Sequence, residues 1–142
     1  MRIPSGLWHE MVATCLDGLP DEACGLLAGP VEPDGRPSGW VAAVYPCRNA
    51  DVSARTYTID SQDQLKAMRA AAKRDLDIVG VYHSHTHTDA YPSATDIRQS
   101  VDPNWWYVIV GLRHGEPDVR AWLLADGTVR EERIVLAPDE LR

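Results

Sequence analysis

Phenylalanine is absent from this 142-residue chain, and cysteine is scarce, with only Cys15, Cys24 and Cys47. Three cysteines with no Cys-x-x-Cys pair exclude a disulfide framework and point to a reduced, cytoplasmic setting. A basic stripe is also missing. With a net charge of −7, the chain has no surface suited to phosphate backbones, so no nucleic-acid partner is expected. The opening "MRIPSGLWHEMVATCLDGLP" lacks the apolar stretch of a signal peptide. No apolar run reaches membrane-spanning length either; "WWYVIVGL" is among the longest and suits a buried strand. What remains is ordinary for one globular core: 44% apolar and 25% charged residues, read as a single domain over 1–142.

The order of elements is mixed. "SGLWHEMVATCLDGL" has helical spacing at Leu7, Trp8, Met11, Val12, Cys15 and Leu16, with Ser5 expected as N-cap and Gly18 as stop. "EACGLLAG", "WVAAVYPC" and "RTYTID" read as strands. "DSQDQLKAMRAAAKRD" is the clearest helix, capped by Asp60 or Ser61, with Leu65, Met68 and Ala72 expected on its inner face. "DIVGVYH" is a strand, and "SATDIRQS" a short helix after Pro92. "WWYVIVGL", "DVRAWLLA" and "TVREERIVL" close the chain as strands, the last two turning at Asp126-Gly127. Helices inserted among hairpin-linked strands define an α+β class.

Chemistry concentrates in "VYHSHTHTDAYPSATD". Alternation along a strand sends His83 and His85 to the same side. His87 continues the alternation, but into a loop composition of Thr, Asp and Pro that leaves its direction open. Pro92-Ser93 followed by Asp96 fits a capping box, an explanation that needs no metal. Two imidazoles and a carboxylate, brought together where a helix start returns the chain to the strand end, fit a three-ligand site with an open fourth position, the pattern of a catalytic zinc. Two rivals fall. The metallo-β-lactamase pattern H-x-H-x-D-H fails because Ala90 follows Asp89. An eight-unit barrel hydrolase needs about 250 residues.

The spacing His83-Ser84-His85, seven residues, Ser93, two residues, Asp96 resembles the H-[ST]-H-x7-S-x2-D motif of the JAMM (MPN+) metallopeptidases. "PDEACGLLAGP", "RTYTIDSQDQLKAMRA" and "YVIVGLR" extend the resemblance over most of the chain, towards the small prokaryotic members that act on ubiquitin-like sulfur carriers. The resemblance implies an MPN fold, a curved mixed sheet flanked by helices and related to cytidine deaminases. It implies one zinc held by His83, His85 and Asp96, with Glu22 as general base. Ser93, beside its capping role, would stabilise the oxyanion. Glu10 in a helix and Glu32 in a loop are weaker candidates for the base, and Cys24 reads as a small buried apolar residue. Tyr82 and Tyr91, flanking the ligands, are candidates to line a groove for the substrate tail.

The partner so implied is a small ubiquitin-like sulfur carrier with a C-terminal Gly-Gly, its tail added as a strand along an exposed edge, and the reaction is release of cysteine from its end. Two alternatives stand beside it. One is trimming of a carrier precursor or removal of a carrier conjugate; the other is a non-catalytic MPN scaffold. RadC-like proteins share the fold, but the chain has no helix-hairpin-helix segment or basic surface.

Overall fold

A computed structural model describes residues 1–139. Six strands form the main sheet: β2 (Cys24–Gly29), β3 (Ala43–Cys47), β4 (Asp77–His85), β5 (Trp106–Gly111), β6 (Asp118–Ala125) and β7 (Thr128–Glu132). Their order is β3-β2-β4-β5-β6-β7, antiparallel throughout except for the parallel pair β4 and β5. Two short strands, β1 (Arg2–Pro4) and β8 (Val135–Ala137), pair in parallel as a separate ribbon. Three helices complete the α+β fold: α1 (Ser5–Asp17), α2 (Ser61–Lys73) and α3 (Ala94–Gln99). No helix among the described residues is long and apolar enough to cross a membrane.

The sheet is covered on both sides, and the central strands record this in their sequence. Strand β5 is buried along its whole length, with Trp106, Val108 and Val110 packed into the α1 side and Tyr107 and Ile109 into the α2 side. A strand buried on both faces reads as an unbroken apolar run, as "WYVIVG" does. On the α1 side Leu7, Met11, Val12 and Cys15 pack against Leu27, Val79 and Tyr82. Tyr82 is fully buried there because Gly25, across the ladder, has no side chain: a Cβ at Gly25 would collide with the tyrosine ring.

Several local expectations are corrected. Ser5 is the first helical residue, not the cap; Pro4 occupies the cap position with no side-chain bond. The "RTYTID" segment forms no strand, only a bridge between Asn49 and Ile59. The strand drawn over "WVAAVYPC" is confined to Ala43–Cys47, and "TVREERIVL" divides into β7 and β8. Helix α2 is capped by Asp60, whose carboxylate accepts from the Asp63 N–H at 3.0 Å. Its inner face is Ala67 and Ala71, while Leu65 and Met68 remain about half exposed. Small residues win that face because the helix lies close over Ala28 and Ala43. The Asp126-Gly127 hairpin forms as expected, both residues taking the positive φ (52° and 76°) that a type I′ turn demands.

Candidate active site

Strand β4 places His83 and His85 on the α2 side at the end of the parallel pair. His83 lies in the middle of the sheet, opposite Cys24 on β2 and Ile109 on β5. Its ring is 2% exposed and stacked beneath that of Tyr57, with centroids 4.2 Å apart. His85 is oriented by its own loop: Nδ1 donates to the Asp89 carbonyl at 2.8 Å, which fixes that tautomer and turns Nε2 towards Asp96. Helix α3 then returns the carboxylate. Ser93 Oγ accepts from the Asp96 N–H at 3.0 Å, and Asp96 Oδ2 accepts from the Ser93 N–H at 2.8 Å, a complete capping box. The capping box of "PSATD" and the approach of Asp96 to the two imidazoles do not compete, because the box is what aims Asp96 inward.

The ligand atoms of His83, His85 and Asp96 all lie within 4.8 Å of one another. Asp96 Oδ1 is 3.4 Å from His83 Nε2, and Oδ2 is 3.1 Å from His85 Nε2. Burial pushes the Asp96 carboxyl up, but the facing imidazoles of His83 and His85 outweigh it and hold the group well below the usual carboxylate range. Burial also lowers His83, against the pull of Asp96, so its imidazole is neutral. Burial likewise disfavours charge on His85, yet Asp96 and the Asp89 carbonyl together raise it. His83 Nε2 is buried without a hydrogen-bond partner. An orphaned imidazole nitrogen, a second imidazole with its other nitrogen already committed and an ionised carboxylate fit a divalent cation, which needs all three lone pairs at once. These three residues are thus a group able to hold a metal ion.

Glu22 shares the cavity. It precedes β2 in an irregular segment and is 6% exposed, so the alternative of a surface carboxylate at a strand end is excluded. Four bonds pin the segment: the Glu22 N–H donates to the Ser53 carbonyl, Asn49 Nδ2 donates to the Glu22 carbonyl, the Ala23 N–H donates to Ser84 Oγ, and the Ser84 N–H donates to the Ala23 carbonyl. Burial, reinforced by Asp96 and Asp51 and opposed by His85, raises the Glu22 carboxyl to about 7. A carboxylate poised near neutrality beside a candidate metal group is suited to moving protons.

The remaining wall is the loop between β3 and α2, whose second half is the "RTYTID" segment expected as a strand. Asn49 organises it, donating to the Thr56 carbonyl and accepting from the Asp51 and Thr58 N–H groups. The Thr86 hydroxyl donates to the Ala54 carbonyl at 2.8 Å, and Tyr57 covers His83. Nothing in the composition of "RNADVSARTYTID" distinguishes this clamp from a strand and turn. The cleft so formed is about 390 Å³, within the size range of small-ligand sites, with Glu22, His85, Ser93 and Asp96 in its lining.

Other candidates separate cleanly. His87 reaches the cavity rim with Nδ1 at 2.8 Å from the Thr86 hydroxyl. Tyr82 faces the opposite core and lines no groove. Tyr91 is exposed and packs edge-on against Trp122, away from this cavity. Glu10 and Glu32 are exposed and outside the cavity lining. Cys24 is buried beside His83, and burial pushes its thiol up to about 12, which leaves it inert.

With this geometry in place, comparison with known proteins gives the class. Residues 4–125 match the family described as prokaryotic homologs of the JAB domain, and the chain belongs to that family. It is 41% identical over 133 residues to the CysO-cysteine peptidase of Mycobacterium tuberculosis (strain H37Rv), covering 93% of this chain and 88% of that one. It is 36% identical over 130 residues to the probable TtuB-protein conjugate cleaving protease of Thermus thermophilus, covering 89% and 78%. Among solved structures, a Desulfitobacterium hafniense protein superposes with a TM-score of 0.85 at 36% identity, over 97% of this chain and 93% of the other. The JAB/MPN fold expected from the motif is the fold observed.

Proposed function

We propose that this chain is a zinc-dependent peptidase that cuts after the C-terminal Gly-Gly of a small ubiquitin-like sulfur carrier and releases a cysteine. The observation that carries the reading is the convergence of His83, His85 and Asp96 within 4.8 Å, at a cavity lined by His85, Asp96 and Glu22. The similarity to a CysO-cysteine peptidase supplies the substrate class.

His83, His85 and Asp96 would hold one zinc ion, which when bound supplies Lewis-acid activation for hydrolysis near neutral pH. Glu22 is assigned as general base. Its raised carboxyl accepts the proton of the attacking water and returns it to the departing amine, a relay that operates best when the group titrates near the working pH. Ser93 is assigned as oxyanion donor. Its oxygen accepts from the Asp96 N–H, which leaves the hydroxyl proton free to donate. Such donors contribute about 3–4 kcal/mol to transition-state stabilisation. Asp89 and Tyr57 orient and cover the imidazoles without entering the chemistry.

The test is direct. Zinc-loaded protein is incubated with a carrier ending in Gly-Gly-Cys, and free cysteine is followed by mass spectrometry. Release by the wild type and its loss in His83→Ala and Glu22→Ala are expected; either variant retaining wild-type release would overturn the assignment. A second reading, removal of a carrier from a conjugated protein, draws support from the Thermus relative. Parallel assays on an isopeptide-linked conjugate rank the two.

A further inference from the structure

We propose that Arg55 anchors the free α-carboxylate of the residue that leaves, so that the cavity selects substrates with a single C-terminal residue beyond the scissile bond. The inference rests on the peptidase reading above and adds what the leaving group must look like.

The charge balance of the cavity raises the question. Glu22 and Asp96 both face it, and the chain as a whole carries a net charge of −7. With a divalent ion bound, these two carboxylates only cancel its charge, so an anionic substrate end is held firmly only where a further cation receives it. A single leaving residue is such an end, since one residue spans only about 3.8 Å and its carboxylate cannot escape the cavity. Arg55 is the one lysine or arginine in the cavity lining. Its guanidinium forms no ion pair among the described residues, as is also true of several arginines remote from the cavity, so it is available to a ligand.

The backbone around Arg55 is held firmly for an exposed loop. The Arg55 and Thr56 N–H groups both donate to Ser53 Oγ, at 3.0 and 3.2 Å. The preceding carbonyl, of Ala54, accepts from Thr86, one residue beyond His85. The following carbonyl, of Thr56, accepts from Asn49, which also binds the Glu22 carbonyl. Arg55 is thus braced on one side to the histidine strand and on the other to the segment of the proposed base. A forked guanidinium on a braced stem is suited to grip a carboxylate through two parallel bonds. None of these bonds uses the Arg55 side chain, so its removal leaves the loop intact.

The experiment compares two substrates on the zinc-loaded enzyme: a Gly-Gly carrier bearing one C-terminal cysteine, and the same carrier bearing cysteinamide. Wild type is expected to favour the acid by about 10–100-fold in kcat/KM, the range of a charge-assisted pair. Arg55→Ala should bring that ratio close to one, Arg55→Lys should retain part of it, and Arg55→Glu should reverse it. Equal cleavage of acid and amide by wild type, or a ratio unchanged in Arg55→Ala, overturns the proposal while leaving the peptidase reading standing. No cleavage of either conjugate overturns the peptidase reading instead. Calorimetric binding of acid and amide tail peptides to Glu22→Gln and to Glu22→Gln/Arg55→Ala then decides the role of Arg55 alone: a preference for acid lost with Arg55 supports the anchor, and its absence overturns it.

Discussion

Ser84, the residue between the two site histidines, holds Ala23 by two hydrogen bonds: its Oγ accepts from the Ala23 N–H and its N–H donates to the Ala23 carbonyl, both at 2.9 Å. The histidine strand and the segment of Glu22 are therefore bolted together at the residue adjoining each. Ser84→Ala strands a buried N–H, at a cost of about 1–3 kcal/mol. A fall in melting temperature of roughly 3–10 °C is expected by calorimetry. Carrier cleavage should fall by more than the folded fraction does, because Glu22 loses its brace.

Tyr57 gives a second expectation. Its ring closes His83 from solvent, and burial there raises its own hydroxyl above the ordinary tyrosine range. Tyr57→Ala removes the lid and a stacking contact worth about 0.5–1.5 kcal/mol beyond area burial. Weaker zinc retention, read by competition with a chromophoric chelator, is expected, whereas Tyr57→Phe keeps the stack and should behave as wild type.

The pH dependence follows from Glu22. Burial raises its carboxyl from 4.5 to about 7, so in that window the folded chain keeps a proton that the unfolded chain has lost. Stability of the metal-free protein should therefore fall as pH rises from about 4.5 through 7, by roughly 3 kcal/mol if the whole shift is expressed. Glu22→Gln should flatten that slope in denaturant titrations. A bound divalent ion favours the ionised carboxylate, so the ascending limb of the cleavage profile should lie below 7.

Metal removal should silence the enzyme without unfolding it. The capping box and the Asp89 carbonyl hold Asp96 and His85 independently of any ion. After treatment with a strong chelator, circular dichroism should be preserved and cleavage lost, with recovery on adding one equivalent of zinc. Asp96→Asn should abolish zinc retention, measured by elemental analysis. Glu22→Gln should retain zinc while losing about 10²–10⁴-fold in rate.

The candidate metal group was legible in the sequence because its three residues lie within fourteen positions whose order enforces their geometry: strand alternation for His83 and His85, a capping box for Asp96. Glu22 was legible only through resemblance, since its approach depends on long-range bonds to Ser53, Asn49 and Ser84. Tyr57 and Asn49 were not legible at all. The Thr-Tyr-Thr-Ile pattern of their segment satisfies the statistics of a strand while its side chains cover the site. The inner face of α2 was misread for a different reason. Hydrophobic size favours Leu65 and Met68, but close approach of helix to sheet favours Ala67 and Ala71.

The bolt between Ser84 and Ala23 has an implication for how such a domain can change. In the proposed mechanism ion capture draws only on residues 83–96, one continuous stretch, whereas turnover also needs Glu22 from the segment leading into the neighbouring strand. On the proposed reading, loosening that junction together with the Ser53 and Asn49 contacts would leave a chain that still holds its ion yet no longer turns over, so a new binding role could arise from this scaffold without disturbing the three candidate ligands.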